Sequence, residues 1–106
     1  MILGSAKYCV ILTTTDCEET AILIAKTLTE NKLAACVQMD RVESFFVYEA
    51  KNERQKEFRL LIKARSDSYQ AIEESILSKH NYQLPQIIML DVAAGLPEYL
   101  NWIDGK

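Results

Sequence analysis

The sequence predicts a single α+β domain whose strands and helices follow the order β-α-β-β-α-β, with a short helix at the C-terminal end. Its 106 residues are the size of one domain. Short β-branched apolar runs alternate with segments in which apolar residues recur at helical spacing. No linker or low-complexity stretch interrupts the pattern, so we treat residues 1–106 as one domain.

The first strand and the first helix are predicted within residues 8–31. The run YCVIL that opens this segment is apolar and typical of a strand buried on both faces. Thr15 and Glu18 have the spacing of a capping box, which predicts that the helix begins directly after Thr15. Asn31 tolerates a left-handed C-cap, so we expect the helix to end near it.

A long hairpin follows the first helix. Its first strand is predicted over residues 33–49, and a slip in the apolar phase at residues 40–41 indicates a bulge or a bend. The polar residues 51–55 predict the turn, and residues 57–65 predict the second strand. One face of that strand carries four apolar residues: Phe58, Leu60, Ile62 and Ala64.

The second half of the chain repeats the pattern of the first. Ser66 and Asp67 offer an N-cap for a helix that ends near His80, and residues 86–93 predict the last strand. Pro97 suits the first turn of a short terminal helix. Right-handed crossovers place both long helices on one face of a four-stranded antiparallel sheet. This arrangement is a ferredoxin-like sandwich.

The long hairpin is expected to extend beyond the helices that cover the sheet. A strand of about 17 residues spans ~55 Å, whereas a helix of about 15 residues covers only ~22 Å. The overhang carries the apolar, β-prone sequence FFVY at residues 45–48. An uncovered edge of this kind pairs readily with other chains, so we expect self-association. The alternative is that the overhang folds back on its own domain.

Composition narrows the class of function. A net charge of −3 disfavours a generic nucleic-acid binder. No apolar run approaches the length that spans a bilayer, and no signal peptide is visible, so we expect a cytoplasmic protein without a membrane partner. The three cysteines are widely spaced, which predicts free thiols in a reducing compartment.

Three segments together resemble one family, the CutA proteins, which are divalent-ion tolerance proteins. The segments are KLAACV at residues 32–37, HNYQLPQII at residues 80–88 and GLPEYLNW at residues 95–102. The resemblance covers nearly the whole chain. It implies a ferredoxin-like, non-enzymatic homotrimer similar to that of the PII signalling proteins, which binds copper or other divalent cations and takes part in the response to metal ions.

Two residues are candidates for metal binding. His80 is the only histidine, and copper favours imidazole and thiolate ligands. Cys17, expected in the first turn of a helix where thiol pKa values fall, is the nearest replacement for a cysteine that bacterial family members place where this chain has Thr13. The layout puts the start of the first helix and the end of the second on the same side. We therefore expect Cys17 and His80 to lie near each other and to bind Cu(II) or another divalent cation weakly, with His80 contributing most.

Seven further residues are assigned to a subunit interface or cleft: Cys36, Phe46, Tyr48, Glu49, Tyr82, Pro85 and Trp102. Cys36 is expected to face the interior of the sheet and to pack there. Tyr82 and Pro85 shape a loop in which the tyrosine hydroxyl is available to a ligand or a neighbouring subunit. Trp102 is expected to anchor the last helix.

Other classes of function share this topology. A PII-like sensor of a small ligand in the subunit clefts stays open. An acylphosphatase-like enzyme needs an arginine in the loop after the first strand, where this chain has TTTD at residues 13–16. An RNA-recognition module needs paired aromatic residues and glycine on its central strands, but residues 56–62 contain one aromatic residue and no glycine.

Overall fold

The predicted order of strands and helices is confirmed by the computed structural model, which describes residues 6–105. The strands are β1 (Tyr8–Thr15), β2 (Cys36–Tyr48), β3 (Lys51–Arg65) and β4 (Ile88–Asp91). The helices are α1 (Glu18–Glu30), α2 (Tyr69–Lys79) and α3 (Pro97–Ile103), and a 3₁₀ turn (Ser66–Ser68) precedes α2. The strands form one antiparallel sheet in the order β2-β3-β1-β4.

The core lies between one face of the sheet and the helices α1 and α2. Alternate residues of β1 and β3 point into it, as the period of two in a strand requires. Its fully buried members come from both strands and both helices: Cys9, Ile11, Leu60, Ile62, Ala64, Ala21, Ile24, Leu28, Ile72 and Ile76. The opposite face, which we call the open face, carries the other set of alternating residues.

The start of α1 differs from the prediction. Thr15 continues β1, where it pairs with Phe58, and Cys17 is the N-cap residue, with φ of −113° and ψ of 115°. The Thr15 hydroxyl accepts a hydrogen bond from the Cys17 N–H at 3.2 Å instead of capping the helix. The predicted capping box is therefore wrong, because strand pairing extends β1 through Thr15. The helix ends at Glu30 as expected, but the left-handed residue is Lys32, with φ of 57°.

The hairpin of β2 and β3 contains neither the predicted bulge nor the predicted turn. Its register is continuous from Cys36 opposite Lys63 to Tyr48 opposite Lys51. Glu49 and Ala50, with φ of 50° and 65°, form a two-residue turn, which matches the twist of the flanking strands. The polar residues 51–55 are therefore strand. The apparent phase slip arises because the outer half of the hairpin has no core on either side, so apolar residues need not keep to one face.

The overhang of the hairpin is confirmed. The 13 residues of β2 span about 43 Å at 3.3 Å per residue, whereas the 13 residues of α1 cover about 20 Å. At the tip, Phe45 and Val47 are 72% and 71% exposed on the helix side of the hairpin. Tyr48, on the open face, is 60% exposed.

A cluster of charged residues ties the last helix to the sheet. Asp104, which directly follows α3, has a side chain only 1% exposed. Its carboxylate accepts a hydrogen bond from the Tyr8 hydroxyl and pairs with Arg65 at 2.6 Å and with Lys7 at 3.3 Å. These contacts join α3 to β1 and β3. No helix within residues 6–105 combines the length and apolar composition needed to cross a bilayer.

Candidate functional site

His80 caps the end of α2 with its backbone and binds two other segments with its ring. Its N–H donates to the carbonyl of Ile76 at 2.8 Å. The ring Nδ1 accepts a hydrogen bond from the Tyr82 N–H at 3.0 Å, so Nε2 carries the proton and donates to the carbonyl of Thr14 at 2.8 Å. Both ring nitrogens are therefore engaged by the backbone.

The end of α2 and the start of α1 lie together, as the layout predicted. Asn81 accepts a hydrogen bond from the Thr15 hydroxyl at 2.5 Å and donates to the Asp16 carboxylate at 2.8 Å. Cys17 directly follows Asp16 in this hydrogen-bonded region and is half-buried. Hydrogen bonds from the Thr20 hydroxyl and the Thr20 N–H lower the pKa of the Cys17 thiol, which favours the thiolate.

These residues do not fit a tight metal site within one chain. Strong sites use three or four thiolate, imidazole or carboxylate ligands around one ion. Within residues 6–105, no three histidine, cysteine, aspartate or glutamate residues are grouped so as to hold a metal ion. His80 would also have to leave a backbone hydrogen bond to bind one. The roles of His80 and Cys17 as metal ligands stay predictions.

Two of the residues assigned to interfaces are oriented differently from the prediction. Cys36 pairs with Lys63 and alternates with Val37, which packs against the core, so Cys36 lies on the open face and not in the sheet interior. Trp102 is half-exposed and stacks on Tyr99 with ring centroids 5.5 Å apart. The apolar anchor of α3 is its buried neighbour Ile103.

Tyr82 forms a hydrogen bond with Glu57, a residue that the sequence analysis did not single out. Its hydroxyl donates to Glu57 Oε2 at 2.6 Å, and the Ser44 hydroxyl donates to Glu57 Oε1 at 2.5 Å. Glu57 is only 7% exposed although it lies on the open face. Burial raises the pKa of the Tyr82 phenol, and the adjacent Glu57 carboxylate raises it further. The only signal in the sequence was a carboxylate directly before an apolar run, which is common at the ends of strands.

Glu57 and Tyr82 line a cleft of about 1150 Å³ between the β2–β3 hairpin and the loop that joins α2 to β4. Five hydroxyl or amide side chains add polar groups to it: Thr14, Ser44, Gln55, Gln83 and Gln86. Phe46, Tyr48 and Leu84 supply apolar surface. We call this the Glu57 cleft. Pro85 lies in the same loop, next to Leu84.

The open face of the sheet also carries exposed apolar residues, interspersed with charged ones such as Asp40, Arg59 and Lys63. Three of the apolar residues, from β2 and β4, are Tyr48, Ile88 and Leu90. The segment before α3 and α3 itself expose three more large residues: Leu96, Tyr99 and Trp102. The fold and this surface define a ferredoxin-like α+β protein with an extended central hairpin and an uncovered sheet face.

Comparison with known proteins identifies the family. The family model described as CutA1 divalent ion tolerance protein matches residues 9–106, and the chain belongs to this family. The divalent-cation tolerance protein CutA of Archaeoglobus fulgidus is 41% identical over 86 residues, which are 81% of this chain and 84% of that protein. The Thermus thermophilus protein of the same name is 35% identical over 95 residues, covering 89% of this chain and 92% of that one.

Solved structures of relatives have the same fold. A structure described as the periplasmic divalent cation tolerance protein CutA from A. fulgidus superposes with a TM-score of 0.89 at 38% identity, covering 92% of this chain and 96% of that one. CutA1 from a psychrotrophic Shewanella gives a TM-score of 0.91 at 33% identity, covering 96% of both chains. The family model and the A. fulgidus and T. thermophilus relatives are named as tolerance proteins and not as enzymes.

Proposed function

We propose that this protein is a non-enzymatic homotrimer that binds divalent cations weakly and takes part in the response to them. The observation that carries the proposal is the set of exposed apolar residues on the open face together with the overhanging hairpin. Both surfaces are uncovered in a single chain, and burying them against other copies would remove apolar area from water. The number of three subunits follows from the family resemblance. The three cysteines are free thiols, which supports a cytoplasmic location.

The purified protein is expected to have about three times the 12.1 kDa mass of one chain. Light scattering coupled to size-exclusion chromatography at micromolar concentration measures this directly. Because apolar contacts hold the subunits together, the mass should be unchanged between low salt and about 1 M salt, where exposed charge pairs are screened. A mass of one chain at micromolar concentration would contradict the assembly.

Weak cation binding is consistent with the donors that the structure offers. The Cys17 thiol is half-buried and has a lowered pKa, and thiolate is a good ligand for soft divalent ions. The His80 ring must break a hydrogen bond to Thr14 or Tyr82 before it can bind an ion, and this cost lowers its affinity. We therefore expect Cys17 to contribute more than His80, which reverses the order expected from the sequence alone.

Parallel titrations with Zn(II) and Cu(II) test whether Cys17 contributes more to cation affinity than His80. Zn(II) is included because it has no redox chemistry with thiols. We expect a dissociation constant of about 10 μM or weaker for Zn(II), with Cys17→Ser weakening it more than His80→Ala. Cys36→Ser, which removes another half-buried free thiol, is the matched control and should bind as the wild type does. A loss confined to His80→Ala would show that the ring rotates out to bind the ion.

The Glu57 cleft favours a second candidate function, the sensing of a small ligand. Its volume of about 1150 Å³ lies slightly above the range of small-molecule sites, and the buried polar groups of Glu57 and Tyr82 converge in it. No comparable observation favours an acylphosphatase-like activity. In the segment where such an enzyme needs arginine, the hydroxyl of Thr15 and the carbonyl of Thr14 are engaged by Asn81 and His80.

A further inference from the structure

We propose that the hairpin tip, residues 45–54, is unpaired for much of the time in a free subunit and becomes ordered when subunits assemble. The inference deepens the assembly proposed above and rests on it, because a neighbouring copy is the surface against which the tip becomes ordered. The paired tip that the structure describes is the form that the assembled protein retains. Assembly and ordering of the tip are then one coupled step.

The first observation is that the tip has no core of its own. All ten of its residues are exposed, and the apolar side chains of Phe45 and Val47 are 72% and 71% exposed. An isolated two-stranded hairpin is marginally stable at best in water, because the entropy lost in fixing its backbone is not offset by buried apolar surface. A free subunit therefore supplies little that would hold the tip in its paired form.

The second observation is that the hydrogen bonds and ion pairs of the tip stay within the hairpin in the part of the chain that the structure describes. Arg54 pairs with Glu43 at 2.6 Å and lies over the ring of Phe45 at 5.2 Å. Exposed contacts of this kind contribute little. Gln55, directly beyond the tip, donates to the Asp16 carboxylate at 3.0 Å. The hairpin is therefore tied to the rest of the domain up to Gln55 and not beyond it.

The third observation is a strained turn at the end of the tip. Glu49 and Ala50 have φ of 50° and 65°, in the left-handed region that side chains other than glycine and asparagine disfavour. Residues held there persist only where the surrounding structure compensates for the strain. In a free subunit, the compensation comes only from the four cross-strand pairs of the tip. The strain therefore favours the open form.

A neighbouring copy reverses this balance. Phe46 and Tyr48 are assigned to subunit contacts, and they share one face of the hairpin only when the strand is extended and paired. Burying both side chains then stabilises the ordered tip. The apparent affinity between subunits is reduced by the fraction of free subunits whose tip is ordered. A more stable turn should therefore strengthen the assembly without adding a contact between subunits.

Hydrogen exchange followed by mass spectrometry tests the coupling by comparing the tip with residues 58–64, the inner part of β3. Both segments should be protected in the wild-type trimer. Leu90→Asp places a carboxylate on the open face of β4, where Leu90 is 51% exposed, and should separate the subunits without touching the hairpin. In that monomer, exchange in the tip should be faster by about tenfold or more, while residues 58–64 keep their protection.

Substitutions at Ala50, an exposed residue, test the strained turn. Ala50→Gly relieves the left-handed backbone, whereas Ala50→Val adds a β-branched side chain that increases the strain. In the Leu90→Asp monomer, exchange in the tip should be slower with glycine than with valine by about tenfold. In the trimer, the concentration of guanidinium chloride that separates the subunits, followed by light scattering, should be higher for Ala50→Gly than for Ala50→Val. Lys32→Gly relieves a similar φ of 57° after α1 and is the control that should leave exchange in the tip unchanged.

Three outcomes would overturn the inference: a tip that exchanges freely even in the trimer, a tip that is equally protected in the trimer and in the Leu90→Asp monomer, or equal separation of Ala50→Gly and Ala50→Val by guanidinium chloride. If Leu90→Asp fails to fold or stays trimeric, the last comparison decides alone. Light scattering of the wild-type protein distinguishes this inference from the assembly itself. A wild-type monomer with an unprotected tip contradicts only the assembly, and a trimer with any of the three outcomes contradicts only the ordering of the tip.

Discussion

Replacing both Phe46 and Tyr48 with aspartate is expected to reduce the mass of the assembly from three chains to one, or to cause aggregation of the separated subunits. Both side chains lie on the open face of the hairpin, 40% and 60% exposed in a single chain. In the proposed trimer they are buried against a neighbour. An unpaired carboxylate buried there costs several kcal/mol, and the threefold assembly would bury six.

Light scattering and the midpoint of thermal unfolding of the double variant measure this effect. Leu77→Asp is the matched control, because Leu77 is 53% exposed on α2, which lies on the other face of the sheet. That control should keep the mass of three chains and nearly the same Tm, since exposed surface substitutions usually change stability little. A double variant with unchanged mass and Tm would place Phe46 and Tyr48 in solvent.

The order of elements was predictable because each helix and strand has its own apolar period. Residues that face the α1 and α2 side, such as Leu60, Ile62 and Ala64, recur at every second position of β3 because one face of that strand is core. The outer half of the hairpin does not follow this period. There, Phe45 and Phe46 point to opposite faces and neither meets a core within the chain. Periodicity therefore suggested a bulge at residues 40–41, and polar composition suggested a turn at residues 51–55, where the chain is regular strand.

Local motifs were less reliable than periodicity because tertiary pairing overrides them. Thr15 and Glu18 have the spacing of a capping box, yet Thr15 is held in β1 by its partner Phe58. The turn at Glu49 and Ala50 lacks the glycine or asparagine that two-residue hairpin turns prefer. It forms because the continuous ladder on either side of it fixes the register.

The candidate site was predictable only in part, for a physical reason. Tyr82 and His80 stand out in the sequence because they lie in a short connection of unusual composition. Glu57 does not, since a glutamate at a strand end is ordinarily solvated. Its burial arises because the loop carrying Tyr82 crosses the end of β1 and meets the hairpin, a contact between residues 25 positions apart. Sequence periodicity carries no information about such a contact.

Replacing Asp104 with asparagine is expected to lower Tm by at least ~5 °C. The Asp104 side chain is 1% exposed and is the shared partner of Arg65 at 2.6 Å, Lys7 at 3.3 Å and the Tyr8 hydroxyl. Asparagine keeps the shape but removes the charge, which leaves Lys7 without its partner and α3 tied less firmly to the sheet. The carboxylate is buried although its partners Lys7 and Arg65 are 56% and 38% exposed, and the loss of hydrogen bonds to a buried charged group is destabilising. Thermal unfolding followed by circular dichroism measures the change.

Asp67→Asn is the matched control, because Asp67 also binds Arg65, at 2.8 Å, but its side chain is 66% exposed. Exposed pairs contribute about 0–1 kcal/mol, so its Tm should fall much less.

The pH dependence of the stabilisation by Asp104 has a definite sign. The Tyr8 hydrogen bond, followed by Lys7 and Arg65, lowers the pKa of Asp104, so its stabilisation is complete above the unfolded pKa of about 3.9 and is lost as the pH falls further. The difference in Tm between wild type and Asp104→Asn should therefore be constant near neutral pH and narrow below about pH 4. An equal effect of the two variants would show that the buried carboxylate contributes no more than the exposed one.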